Sequence, residues 1–233
     1  MNFVRIGVLV IIGLGLMVWP AFGAVAQHPD ATMASQPLKP AAPIGEVSIL
    51  IDAQKRTLTI LDDHKFFKKY RVAVGKQDSP TPIGNWQVLR MAKNWGSGFG
   101  SRFMLLDVPW GLYGIHGTNK PHSIGGFQSH GCIRMHNRDV EEIYPWIRVG
   151  TRVVITGNPF GRLHQPWKTA FRGHKGSDVV LIQERLRYWG LYQGKCDGIF
   201  GWSTEVAVKQ FQKQYRLPLT GQIDEDDFRA LGL

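Results

Sequence analysis

Cysteine is scarce in this chain: 233 residues contain two, Cys132 and Cys196. That count excludes a small scaffold built on a dense disulfide framework. The two could still pair with each other in an oxidising compartment. They fall in segments of different patterning, however, and Cys132 lies in a His- and Gly-rich stretch, so each is read as a free thiol. No cysteine lies near residue 26, which argues against a lipidated leader. Negative charge is also short, with 18 Asp and Glu against 28 Lys and Arg and a formal net charge of +10. Such a field favours anionic partners. The chain does not lack core-forming residues. At 43% hydrophobic, 20% charged and 11% aromatic it is composed as a folded protein.

At the N-terminus, Arg5 precedes an uncharged apolar run over residues 6–19, and Ala24-Val25-Ala26 supplies a small-x-small cleavage site. That order is the signature of an export signal. Uncut, residues 6–26 are long enough to span a bilayer, so residues 1–26 are expected to be a signal peptide or a membrane anchor. Membrane contact is expected only in the second case. Export argues against nucleic acid as the anionic partner. Residues 27–45 are rich in Pro, Ala, Ser and Gln and read as a flexible linker.

Residues 46–157 read as strands. Short β-branched runs at 47–51 and 57–61 flank a turn and predict a hairpin. Alternation continues over 70–74 and stops at Gly75. Ser79-Pro80-Thr81-Pro82 forms a loop, because proline removes ladder donors. Further strands are expected at 84–90, 102–107, 114–116 and 152–156. The expectation is a mostly-β sheet or sandwich with one or more short helices. One helix is predicted with Asn137 as N-cap, Asp139, Glu141 and Glu142 near its positive end, and Val140, Ile143, Tyr144 and Ile147 as its apolar face. Residues 158–176, with Gly, Pro and His and little periodicity, read as a second linker.

Residues 177–233 predict a small all-α domain of three helices, feasible as an independent core. Ser177 is expected to cap the first helix, with Val179, Ile182, Leu186 and Trp189 on one face and Gly190 as the stop. A second helix follows Gly201, with Ala207, Val208, Phe211 and Tyr215 at helical spacing. Asp224 is expected to cap a third, containing Phe228 and Leu231.

The stretches that point to chemistry are Ile115-His116-Gly117-Thr118-Asn119 and Ser129-His130-Gly131-Cys132-Ile133-Arg134-Met135. A cysteine nucleophile needs a base or cation to favour its thiolate, and backbone N–H groups aimed at the developing oxyanion. Gly131 leaves the backbone beside Cys132 unobstructed. His130, two residues before Cys132, shares its face in an extended segment, but contact would be strained. His116, at the end of a predicted strand, can be brought beside the sulfur by a loop returning to a neighbouring strand. His116 is therefore read as the base and His130 as a supporting group. A zinc site from His116, His130, Cys132 and His136 has suitable ligand types but no structural-zinc spacing, and no metal is expected. Trp95, Phe99, Trp110 and Trp146 suit either a substrate groove or the core.

Together the two stretches resemble the signature of YkuD-type L,D-transpeptidases, a His-Gly followed about sixteen residues later by Ser-His-Gly-Cys-x-Arg. Residues 79–86, Ser-Pro-Thr-Pro-Ile-Gly-Asn-Trp, resemble that family's Thr-Pro-x-Gly loop. The resemblance implies a β-sandwich and a set of roles. Cys132 would be the acylated nucleophile, His116 its base, and the Gly117 carbonyl the group orienting His116. N–H groups around Gly131 and Cys132 would form the oxyanion hole. His130, Arg134 and Ser129 would line the substrate, with Arg134 suited to a carboxylate. The implied reaction is acyl transfer without a cofactor. Cys132 takes a peptidoglycan stem peptide, D-alanine leaves, and an amine acceptor forms a 3→3 cross-link. An L,D-carboxypeptidase on the same scaffold and a non-catalytic wall-binding protein remain as alternatives. The expected location is the cell wall, outside the cytoplasm.

In the last segment, Cys196-Asp197-Gly198-Ile199-Phe200-Gly201, Thr204-Glu205, Leu217-Pro218 and Thr220-Gly221 resemble a peptidoglycan-binding type 1 domain. It would concentrate an enzyme on a polymeric substrate. Cys196 would be structural.

Overall fold

The computed structural model describes residues 42–158 and 168–233. The expected leader at residues 1–26, nearly all of the first linker and residues 159–167 of the second lie outside the described residues. Among the described residues no helix is long and apolar enough to cross a membrane.

The first half of the chain is strand-rich. In order come β1 (Val47–Asp52), β2 (Thr57–Asp62), β3 (Lys65–Arg71), β4 (Val74–Gly75), β5 (Gly84–Lys93), β6 (Arg102–Leu106), β7 (Gly114–His116), β8 (Phe127–Ser129), β9 (Ile133–Arg134), the helix α1 (Asn137–Ile143) and β10 (Arg152–Thr156). Eight strands form one curled sheet in the order β3-β2-β1-β10-β5-β6-β7-β9, and β4 pairs separately with β8. Strand β5 joins the halves of the sheet. Its residues 84–87 pair with β10, and beyond a register shift its later residues pair with β6. A shift of that kind bends a strand and raises its twist. Trp86 and Val88 alternate inward with Ile49, Ile51, Leu58, Ile60, Met104, Leu106, Val153 and Ile155 in a core that Val140 and Ile143 of α1 also enter.

Three local expectations are corrected. The strand expected from Tyr70 begins at Lys65, because Lys-Phe-Phe-Lys-Lys hides the alternation of a strand at the sheet's end. Asn137 is the first residue of α1 and not its cap; His136 holds the cap position without a side-chain bond, and Asn137 Oδ1 accepts from the Ser101 N–H at 3.3 Å. Of the three acids assigned to the first turn only Asp139 lies there, while Glu142 pairs with Lys68 on β3.

The C-terminal domain consists of α2 (Ser177–Tyr188), α3 (Trp202–Tyr215) and α4 (Glu225–Ala230) around Ile182, Leu186, Phe200, Phe211, Ile223 and Phe228. Two buried glutamines organise it. The Gln183 amide accepts from Gly198 N–H at 2.8 Å and donates to the Ile199 carbonyl at 3.0 Å. Gln212 repeats the device one helix later, accepting from Gly221 N–H at 2.9 Å and donating to the Gln222 carbonyl at 2.8 Å. Both glycines have positive φ, where a side chain would be strained. Asp224 caps α4 in a reciprocal capping box with Asp227. Ser177 does not cap α2. It lies inside the helix, and its hydroxyl accepts from the Ile83 N–H of the strand-rich domain at 2.9 Å.

That bond belongs to a docked interface. Val180 of α2 is part of the sheet core, and Cys196 packs against both cores. Asn85 donates to Glu184 at 3.3 Å, and Lys195 pairs with Asp107 at 3.3 Å. Both cysteines carry free thiols.

Candidate active site

The β7–β9 ladder builds the site. Its parallel register sets Ile115 beside Ile133 and His116 beside Arg134. Cys132 precedes β9 directly, so one further step along the ladder places it against Gly114. In a strand, residues two apart share a face. His116, Arg134, Gly114 and Cys132 therefore meet on one side of the sheet. Ile115 and Ile133 turn the other way into the core, both fully buried.

The Cys132 thiol is half-buried and reaches the Leu112 carbonyl, with Sγ and oxygen 3.8 Å apart. Burial raises its pKa above the ordinary 9.0, while the Gly114 backbone and the Arg134 charge act in the opposite direction. His116 is buried, and its Nδ1 lies 2.5 Å from the Gly117 carbonyl. Burial lowers its pKa to about 4; hydrogen bonding to the Gly117 and Phe99 backbones resists this, and the Arg134 charge adds to it. Both shifts favour the uncharged forms, a thiol and a neutral imidazole. Nδ1 is then the protonated nitrogen donating to Gly117, which leaves Nε2 with a lone pair to receive a proton. The Arg134 side chain has no salt-bridge partner among the described residues.

The remaining expected residues divide. Gly117 and Gly100 leave room for the Asn137 amide, whose Oδ1 lies 2.2 Å from where a Cβ at either would be. Ser129 is 1% exposed and faces its own loop: its hydroxyl donates to the Cys132 carbonyl at 2.6 Å and accepts from Gly131 N–H at 3.1 Å. It was expected to line the substrate, but instead it clamps the thiol loop. The Gly131 N–H, expected in the oxyanion hole, is engaged by that bond, whereas the Cys132 N–H has no acceptor among the described residues. Gly131 has φ +110, and a Cβ there would fall 2.5 Å from the Tyr113 ring. His130 is exposed on the loop. Among the described residues no three His, Cys, Asp or Glu side chains converge on one point.

Sequence reasoning passed over Phe103 and Tyr113. Phe103 stacks on His116 at 5.8 Å, Phe99 meets the same ring edge-on at 5.0 Å, and Trp95 stacks on Phe103 at 5.0 Å. These rings dry the imidazole. Tyr113 walls the thiol loop; its only sequence signal is an aromatic between Gly111 and Gly114. Of the other flagged aromatics, Trp110 packs edge-on against Trp86 and Trp146 edge-on against Phe67, so neither flanks His116. The proline loop supports the site from below. Thr81 Oγ1 accepts from Gly75 N–H at 2.8 Å, and the Pro80 carbonyl lies 3.3 Å from a Cβ built at Gly131. A cleft of about 280 Å³ opens between Val74, Lys76, Pro80, Ile83 and Phe127, and neither Cys132 nor His116 lines it.

Residues 46–155 match a family model described as the YkuD L,D-transpeptidase catalytic domain, and residues 175–231 match a peptidoglycan-binding domain. A Bacillus subtilis protein named as an L,D-transpeptidase, YqjB, is 38% identical over 127 residues, covering 48% of this chain and 72% of that protein. Another so named, YkuD of Bacillus licheniformis, is 44% identical over 108 residues, which is 46% of this chain. The chain spans 64% of that relative's length. Among solved structures, the catalytic domain of an Enterococcus faecium L,D-transpeptidase aligns with a TM-score of 0.42 at 22% identity, over 48% of this chain and 98% of that one.

Proposed function

As this chain belongs to the YkuD-type L,D-transpeptidase family, we propose that it transfers peptidoglycan stem peptides through a thioester on Cys132. The observation that carries this reading is the β7–β9 ladder, which sets His116, Arg134 and Cys132 on one face with His116 Nδ1 held by the Gly117 carbonyl.

The thiol proton passes to His116 Nε2 as the sulfur attacks the amide carbonyl of the third stem residue. A resting thiolate is not required in this reading, because burial favours the uncharged form of both groups. The oxyanion is met by the Cys132 N–H, since Gly131 N–H is committed to Ser129. A preorganised donor of this kind lowers the barrier by about 3–4 kcal/mol. The C–N bond breaks, His116 returns its proton to the leaving amine, and D-alanine departs. An acceptor amine then gives a proton to His116, attacks the thioester and restores the thiol, leaving a 3→3 cross-link. Arg134, without a salt-bridge partner among the described residues and beside the sulfur, holds a stem carboxylate in bidentate fashion. His130, exposed on the same loop, contacts the stem from the solvent side. The apolar leader and the wall-binding domain support export and work in the cell wall.

Mass spectrometry of the protein incubated with a disaccharide-tetrapeptide tests this. D-alanine release, a transient adduct on Cys132 and a 3→3 dimer are expected, with none in Cys132→Ala. Transfer retained by Cys132→Ala would overturn the mechanism. Tripeptide without dimer would assign hydrolysis instead.

A further inference from the structure

The loop between β6 and β7 has two neighbours. On one side it reaches the thiol: the Leu112 carbonyl meets Cys132 Sγ, and the Tyr113 ring lies against Gly131. On the other side it meets the C-terminal domain. Trp110 packs 5.2 Å from Trp86 at 77°, and its ring edge rests on Gly198, where an added Cβ would fall 2.3 Å from it. Asp107, at the loop's start, pairs with Lys195 three residues before Gly198 and accepts from Gln87 N–H at 2.8 Å. Gly198 is fixed from within its own domain by buried Gln183. The chain of contact closes at Tyr113, whose ring lies over Gly111, the residue that follows Trp110, where an added Cβ would fall 2.6 Å from it.

We propose that the C-terminal domain is a structural part of the thiol pocket, with Trp110 and Tyr113 as the positioning residues that transmit its docking to Cys132. This rests on Cys132 being the reactive thiol. A domain that only tethers the enzyme would need no such contact, and its turn could change without effect on the sulfur. Here the turn at Gly198 sets the height of Trp110, Trp110 sets Tyr113, and Tyr113 bounds the loop that carries the thiol. Displacement by an ångström at a reacting centre costs about a hundredfold in rate, so modest slack at Trp110 is visible in turnover.

The test uses the full-length protein with three readouts: the pH profile of Cys132 alkylation by iodoacetamide, kcat and KM on soluble disaccharide-tetrapeptide, and co-sedimentation with insoluble wall. Gly198→Ala and Trp110→Ala are expected to shift the alkylation profile and to lower kcat about tenfold, with KM little changed. Trp110→Phe, which keeps a smaller ring against Gly198 and Trp86, should fall between Trp110→Ala and the unmodified protein. It carries the test if Trp110→Ala does not fold. The proposal is overturned if Gly198→Ala and Trp110→Phe both leave the alkylation profile and kcat unchanged, whether or not wall binding falls. If the alkylation profile moves but the unmodified protein turns over no stem peptide, the coupling stands and the proposed reaction is wrong.

Discussion

Burial brings His116 down to about pKa 4 and pushes the Cys132 thiol upward, and both shifts have the same origin in a dry site walled by Phe99, Phe103 and Tyr113. Two outcomes follow for pH. Alkylation of Cys132 should keep rising through pH 9 with no plateau at lower pH, because burial favours the uncharged thiol and imidazole over a thiolate–imidazolium pair; a plateau near pH 6 would contradict this. Protonation of His116 favours the unfolded chain, where its pKa is the ordinary 6.5. Its contribution to stability is therefore full above pH 6.5 and is lost progressively as pH falls towards 4, which acid titration of the unfolding midpoint in His116→Gln and the unmodified protein checks. Gly131→Ala places a methyl against Tyr113 at a φ of +110, and acylation of Cys132 should drop about a hundredfold in stopped-flow kinetics. The pairing of the strand that ends at His116 with the segment that follows Cys132 was legible in sequence, since a short strand needs a neighbour to complete its ladder. The fate of the Ser129 hydroxyl and the Gly131 N–H was not. Whether they face substrate or each other depends on a turn of three residues, which no periodicity reports.

Elements with strong alternation were readable: β1, β2, β5, β6 and β10 fall where their β-branched and apolar runs lie. The two- and three-residue strands β4, β8 and β9 are too short to show a period and exist because long-range partners pair with them. Two of the four expected helix starts failed for a related reason, while those after Gly201 and at Asp224 held. Asn137 and Ser177 are good cap residues by type, but each spends its side chain on a different segment, at Ser101 and Ile83. Gln183 and Gln212 carried no signal at all, since glutamine in a helix usually reads as exposed. Each is 0% exposed and holds the turn after its own helix. Gln212→Leu strands the Gly221 N–H and takes a donor from both the Gln222 carbonyl and the buried Asp227 carboxylate. A loss of about 3 kcal/mol or more is expected in the urea midpoint.

At the scale of the whole molecule, two domains that read as separate in sequence are packed together: Val180 of α2 lies in the sheet core, and Cys196 packs against both cores. Heating should therefore give one calorimetric transition, and a chain ending before residue 175 should melt lower than the full protein. Two well-separated transitions would show that the interface contributes little. The sheet itself has unequal ends. Ala73 covers β9 through paired bonds to Arg134 of 2.9 and 2.8 Å, while β3 closes the other end with no strand beyond it among the described residues. An open edge is a template on which a second chain can add. This one carries Lys65, Lys68, Lys69 and Arg71 within seven residues, so an approaching copy meets its own positive charge before any ladder forms. The basicity that suits an anionic polymer thus also keeps neighbouring molecules apart, and crowding on a shared surface need not turn into aggregation.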